Sequence, residues 1–246
     1  SAASDVYKRQ GLIGGINFNE KASMLGLSLN TYQNPSDSFT LELRRSPLIY
    51  GKLIQWTESE VGGLDTSNFI SPKLITYKSF DNLEVPAFIY AKKSKEPLPV
   101  IIYIHGGPES QSRPSFSSTF QLWIDQLGAA VIAPNVRGSN GYGKTYVGLD
   151  NGFNRENSVK DIGALLDWIE QQPNLDSSRV VVYGGSYGGY MVLASAVHYS
   201  DRLKAAVDIV GISNFVTFLT ITKDDRRDHR RVEYGVERDP KMREIK

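Results

Sequence analysis

The sequence predicts an α/β protein in two parts: a short antiparallel β unit, then a mostly parallel sheet with helices between its strands. Three observations lead there. Residues 11–58 hold four short strand-like runs separated by turn residues. Beyond a loop rich in Gly, Asp and Ser at residues 61–71, apolar β-branched runs alternate with helical patterns, as in a parallel sheet covered on both faces. The composition is that of an ordinary globular chain, with 246 residues, 40% hydrophobic and 22% charged.

The early strands are expected at residues 12–19, 23–30, 38–43 and 52–57. Alternation is clearest in Phe39-Thr40-Leu41-Glu42-Leu43, where a period of two turns one face inward. Asn19-Glu20-Lys21 and Asn34-Pro35-Ser36-Asp37 supply the turns. Four such strands match one blade of a β-propeller, and equally any β-meander. Later strands are expected at residues 85–91, 100–104, 129–133, 180–183 and 205–210. Helices are expected at residues 116–127, which carry the apolar Phe116, Phe120, Leu122, Trp123 and Leu127, at 158–172 and at 187–199. Residues 1–10 show no structural period and resemble a non-native leader. The expected boundary therefore separates residues 11–70, a short β unit, from residues 71–246, an α/β unit.

Charge nearly cancels, 28 Lys and Arg against 27 Asp and Glu, so no electrostatic case exists for nucleic acid or a membrane surface as partner. No apolar run approaches the ~18 residues of a membrane span. Cysteine is absent, which excludes disulfides and thiolate metal sites. The three histidines, His105, His198 and His229, are scattered, and neither a metal nor another cofactor is expected. The alternating charges of residues 223–231 read as a solvated helix face. Localisation and oligomeric state stay open.

The strongest chemical signal is Gly184-Gly185-Ser186-Tyr187-Gly188, a G-x-S-x-G placed between an apolar strand and a helix. A chain that reverses in one residue holds its serine in a strained conformation at the tip. Side chains two before and two after would collide, so Gly184 and Gly188 stand there. Ser186 Oγ is then exposed, and the Tyr187 N–H faces a developing oxyanion at the helix start. The second signal is Tyr103-Ile104-His105-Gly106-Gly107-Pro108, ending an apolar strand 81 residues before Ser186. A glycine pair there lets backbone N–H approach a substrate carbonyl. A third pattern, Gly138 to Thr145, matches the phosphate-binding G-x-x-x-x-G-K-[ST] letter for letter. Gly148, Gly152 and the turn at Asp150-Asn151-Gly152 interrupt the helix such a loop requires, so it reads as a plain Gly-rich loop.

Together these motifs resemble the prolyl oligopeptidase (S9) family of serine peptidases, its acylaminoacyl-peptidase-like branch above all. The resemblance runs from about Thr76 to Lys246 on His105-Gly-Gly-Pro108, Asn135-Val-Arg137-Gly-Ser-Asn-Gly-Tyr-Gly143, Gly184-Gly-Ser-Tyr-Gly-Gly189 and Arg230-Arg-Val-Glu-Tyr-Gly235. It implies an α/β-hydrolase fold after the remnant of a propeller blade. It also implies hydrolysis of short peptides through an acyl-enzyme on Ser186, with Tyr187 N–H as one oxyanion donor. Prolyl oligopeptidase itself has a tyrosine hydroxyl as second donor, where this chain has His105, so Gly107 N–H is the expected second donor.

The family's order is Ser, then Asp, then His. Only 60 residues follow Ser186 here, and they end on a charged stretch, so the triad Asp and His are expected to be missing and the chain to be an inactive fragment of a longer peptidase. His229 lies inside the charged run. His198 is twelve residues along the helix from Ser186, about 18 Å away. Two rival readings share these residues: an esterase with the same elbow, and a hydrolase-fold module kept for binding.

Overall fold

The computed structural model describes residues 11–45 and 48–243; the expected leader, residues 1–10, lies outside them. The chain divides into two compact units. One contains the described residues up to Pro72 together with Arg113–Leu122, and the other contains Lys73–Ser112 and Trp123 onward.

The first unit is an antiparallel meander, β1 (Leu12–Phe18), β2 (Met24–Asn30), β3 (Asp37–Arg45) and β4 (Leu48–Gln55), paired in sequence order. The Asn19 side chain closes the β1–β2 turn by accepting from the backbone N–H of Ser23 and Met24 at 2.9 and 3.1 Å. Asp37 is a buried carboxylate whose Oδ1 accepts from Ser59 N–H at 2.8 Å and from the Thr57 and Ser59 hydroxyls at 3.0 Å. Burying a carboxylate is tolerated because these donors replace its water.

The second unit is built on a six-stranded mixed sheet in the order β10-β9-β7-β8-β6-β5. Its strands are β5 (Lys73–Lys78), β6 (Glu84–Tyr90), β7 (Leu98–Ile104), β8 (Ala130–Pro134), β9 (Leu175–Gly185) and β10 (Ala205–Ile209). Four of them, β10, β9, β7 and β8, run parallel, as the apolar runs predict. β5 and β6 form an antiparallel hairpin at one edge, and β6 meets β8 antiparallel. β5 is a strand that the sequence reading omits. With helices on this sheet the unit is α/β-hydrolase-like, and the first unit is like one propeller blade.

The helices are α1 (Ser118–Gln126), α2 (Lys144–Val147), α3 (Asn157–Glu170), α4 (Tyr187–His198), α5 (Phe215–Ile221), α6 (Asp224–Tyr234) and α7 (Pro240–Arg243). α3 buries Val159, Ile162, Leu165, Leu166 and Ile169, an i, i+3, i+4 stripe laid on the sheet. α1 starts at Ser118, two residues into the expected helix. Leu122 and Leu127 are exposed, while Gln121 and Ile124 are buried. Residues 121 and 124 share one face of the helix, 122 falls off it, and 127 lies past the helix end.

A buried ion pair braces the sheet to α3. Arg137 donates from Nη2 to Asp161 Oδ1 at 2.8 Å and from Nε to both carboxylate oxygens at 3.1 Å. Asp161 also accepts from the Arg137 backbone N–H at 2.9 Å and from Ser79 Oγ at 2.5 Å. The other edge of the guanidinium holds Asp81, in the β5–β6 turn, through two bonds of 2.9 Å. Asp161→Ala would leave this guanidinium short of its buried counter-charge and is expected to cost about 3–5 kcal/mol. Asp81→Ala, at a partly exposed carboxylate, is expected to cost about 1 kcal/mol or less. Urea titration of the two variants checks the difference.

Candidate active site

Ser186 stands between β9 and α4 with φ 57° and ψ −118°, a conformation non-glycine residues rarely adopt. Its own N–H donates to Ile209 O at 2.9 Å, and its carbonyl accepts from Tyr190 N–H at 3.1 Å. The turn is therefore anchored to β10 on one side and to the first turn of α4 on the other. The residue is exposed at the tip, while its neighbours Tyr187, Gly188 and Gly189 are buried.

The two flanking glycines are required sterically. A Cβ on Gly184 would overlap the carbonyl of Gly188, and a Cβ on Gly188 would overlap the carbonyl oxygen of Ile104 at the end of β7. The backbones of β9, α4 and β7 thus meet at van der Waals range. Gly106, just past β7, faces the same turn, its Cβ position 3.2 Å from Gly185 O and 3.7 Å from Ser186 Cβ. The sequence signals around Gly106 and Ser186, 80 residues apart, are adjacent in space.

Among the described residues neither Tyr187 N–H nor Gly107 N–H has a hydrogen-bond partner. Ser186 Oγ likewise has none among the described residues, so no described histidine touches it. His105 is turned away: its Nδ1 lies 2.7 Å from Gly106 O and its Nε2 2.8 Å from Ser139 Oγ. Burial pushes its imidazole pKa below the ordinary value, outweighing the opposite pull of the Gly106 carbonyl. His198 ends α4 and His229 lies within α6.

The side chain of Tyr187 leads into a buried polar cluster that the sequence reading misses. Its hydroxyl lies 2.8 Å from Ser158 Oγ and donates to Asp150 Oδ2 at 3.1 Å. Arg155 donates to the same Oδ2 at 2.5 Å. Asp150 and Arg155 are both buried. Burial lifts the Asp150 carboxyl to about 6, with the Arg155 charge and the Tyr187 hydroxyl pulling against that rise. A Cβ on Gly138 would overlap the Asp150 carboxylate, so the loop that mimics a phosphate-binding sequence wraps this side chain. The helix after it, α2, is a single turn of 4 residues.

Among the described residues no group of His, Cys, Asp and Glu is placed to hold a metal ion. Among them, too, no helix is long and apolar enough to cross a membrane.

Residues 114–244, more than half the chain, match the model of the prolyl oligopeptidase family, Peptidase_S9. The dipeptidyl aminopeptidase BIII of Pseudoxanthomonas mexicana is 33% identical over 128 residues, 52% of this chain and 18% of that protein. The acylamino-acid-releasing enzyme of Arabidopsis thaliana is 29% identical over 179 residues, 69% of this chain and 23% of that protein. Among solved structures, the acylaminoacyl peptidase of Pyrococcus horikoshii superposes with a TM-score of 0.78 at 24% identity, over 96% of this chain and 37% of that one. The chain spans under a third of the length of such curated relatives. With the family model matched across the elbow and the helices after it, this chain belongs to the prolyl oligopeptidase family of serine peptidases.

Proposed function

We propose that the protein to which this chain belongs hydrolyses amide bonds of short peptides through an acyl-enzyme on Ser186. The observation that carries this reading is Ser186 itself: an exposed serine on a strained turn, followed by Tyr187, whose N–H has no partner among the described residues. In this reading Ser186 Oγ attacks the scissile carbonyl carbon. The carbonyl oxygen becomes an oxyanion that accepts from Tyr187 N–H and Gly107 N–H. Preorganised donors of this kind act on charge that develops only in the transition state. Collapse expels the amine, which takes up the proton that Ser186 Oγ has lost, and leaves an ester on Ser186; water then hydrolyses this ester to the free acid and restores the serine hydroxyl.

A serine hydroxyl is a weak nucleophile without a neighbouring base. No described histidine reaches Ser186, and the chain covers a minor share of its relatives. The reading therefore places the general base and its orienting acid outside these 246 residues. Residues 71–246 form part of the peptidase domain, and residues 11–70 the last part of a propeller that restricts entry to short peptides. Support for a peptide substrate comes from the relatives, which include a dipeptidyl aminopeptidase and an acylamino-acid-releasing enzyme.

An active-site serine probe on the full-length parent tests this. Ser186→Ala is expected to abolish labelling and to lower kcat/KM on a short peptide by roughly 10⁴-fold or more. Undiminished labelling would sink the assignment. Rates on matched ester and amide substrates separate a peptidase from an esterase.

The elbow packing makes its own prediction. Gly188→Ala drives a methyl into the Ile104 carbonyl and is expected to destabilise by about 1–3 kcal/mol and to slow labelling of Ser186. Gly148→Ala, with a right-handed helical backbone and 3.8 Å of clearance, is expected to stay within about 0.5 kcal/mol of the parent. Thermal melts and labelling time courses of the pair check both.

A further inference from the structure

We propose that Arg155, with its partner Asp150, is a positioning residue that sets the placement of the two oxyanion amides, Tyr187 N–H and Gly107 N–H, relative to each other. This rests on Ser186 being the nucleophile. The two amides belong to different elements, one to the start of α4 and one to the loop after β7. Tetrahedral chemistry needs both within a few tenths of an ångström of one oxygen.

The geometry supplies a link between them. Arg155 is 1% exposed, and its guanidinium lies over two rings, 5.3 Å from the centroid of Tyr187 and 5.0 Å from that of Tyr234. One edge grips the elbow: Nη1 donates to Asp150 Oδ2, which also accepts from the Tyr187 hydroxyl. The other edge grips the end of α6, where Nη2 donates to the carbonyl of Glu233. The next residue, Tyr234, carries the link onward. Its hydroxyl donates to Gly107 O at 3.3 Å, and Arg230 Nη1 lies 3.5 Å from the same oxygen. Elbow, guanidinium, helix end and glycine loop form one continuous chain of contacts.

Stability alone does not explain this pair. The cost of desolvating two buried charges commonly cancels their attraction, and a packed apolar pair often does as well or better. Here the cost is raised further, because Asp150 Oδ1 and Arg155 Nε have no partner among the described residues. A rigid planar fork offers what an apolar side chain does not: donors with fixed directions toward two separate elements.

The test uses the full-length parent with Arg155→Met and Tyr187→Phe. Four quantities are read on each: kcat, KM, affinity for a peptide aldehyde whose adduct with serine is tetrahedral, and affinity for the same peptide ending in an amide. Arg155→Met is expected to lower kcat and aldehyde affinity together, by about tenfold to a hundredfold, with KM and amide affinity within about twofold. Tyr187→Phe keeps the ring and removes only its hydroxyl, so a smaller loss of the same pattern is expected. It decides the matter alone if Arg155→Met does not fold. Normal kcat and aldehyde affinity in Tyr187→Phe and in any folded Arg155→Met, whatever the melting temperature, would overturn the proposal. Turnover that survives Ser186→Ala would instead remove the nucleophile reading beneath it.

Discussion

Everything in the second unit is arranged around one backbone constraint: the chain turns from β9 into α4 within Ser186. A non-glycine residue held at φ 57° and ψ −118° costs of order 1–3 kcal/mol, and it persists only when its surroundings leave no alternative. Those surroundings are backbone atoms. The Gly184 and Gly188 backbones touch, Gly188 abuts the last carbonyl of β7, and Ser186 N–H is tied to Ile209 O. The next residue along, Val210, is itself at φ 50° and 85% exposed, an outlier for a β-branched side chain. Two strained residues thus meet at the carboxyl end of the parallel strands, where open α/β sheets place their ligands. The strain sits where the proposed chemistry needs a hydroxyl presented clear of the sheet.

The second unit holds two buried Arg–Asp pairs, and they differ in a telling way. Arg137 and Asp161 form a closed brace. Both oxygens of the carboxylate are used, by the guanidinium, a backbone N–H and Ser79. Asp150 and Arg155 form an open one, with a carboxylate oxygen and a guanidinium nitrogen unpartnered among the described residues. The closed pair lies between sheet and α3, away from Ser186, and its role is architectural. The open pair touches Tyr187, whose amide adjoins Ser186. Incomplete satisfaction in a buried polar cluster is costly. Its placement beside the elbow is what separates the second pair from the first.

The legible parts of the fold and site are those whose physics is local in sequence. The elbow reads out because the glycines that avoid collision are two residues from the serine. β7 and β8 read out because strands buried on both faces are continuously apolar. The buried face of α1 does not read out, since Leu122 is apolar yet exposed, and periodicity cannot tell a surface leucine from a core one. β5 was obscured by its polar edge position, with only Tyr77 buried in Lys73–Lys78. The Asp150–Arg155 cluster had no signal at all. It joins a loop 5 residues from Arg155 to an elbow 32 residues away and a helix end 78 residues away, and no period connects them.

Hydrolysis on such a scaffold has two separable halves, one that stabilises negative charge on oxygen and one that moves a proton. The first is built from backbone amides and depends on the relative placement of β7, β9 and α4. The second depends on side chains that must reach Ser186 Oγ. In the Ser-His-Asp enzymes, oxyanion donors and binding alone retain a residual rate of roughly 10³–10⁴ over water when a triad member is removed. The amide half therefore has value independent of the base. In this chain the turn that presents Ser186 is held by the packing of Gly188 against Ile104 and of Gly106 against Gly185, and by the Ser186 N–H bond to Ile209. No catalytic base is needed to hold any of them. A residue that reorients the amides would for that reason change transition-state binding without touching either substrate or base, which is how a guanidinium buried behind Tyr187 could govern a reaction it never meets.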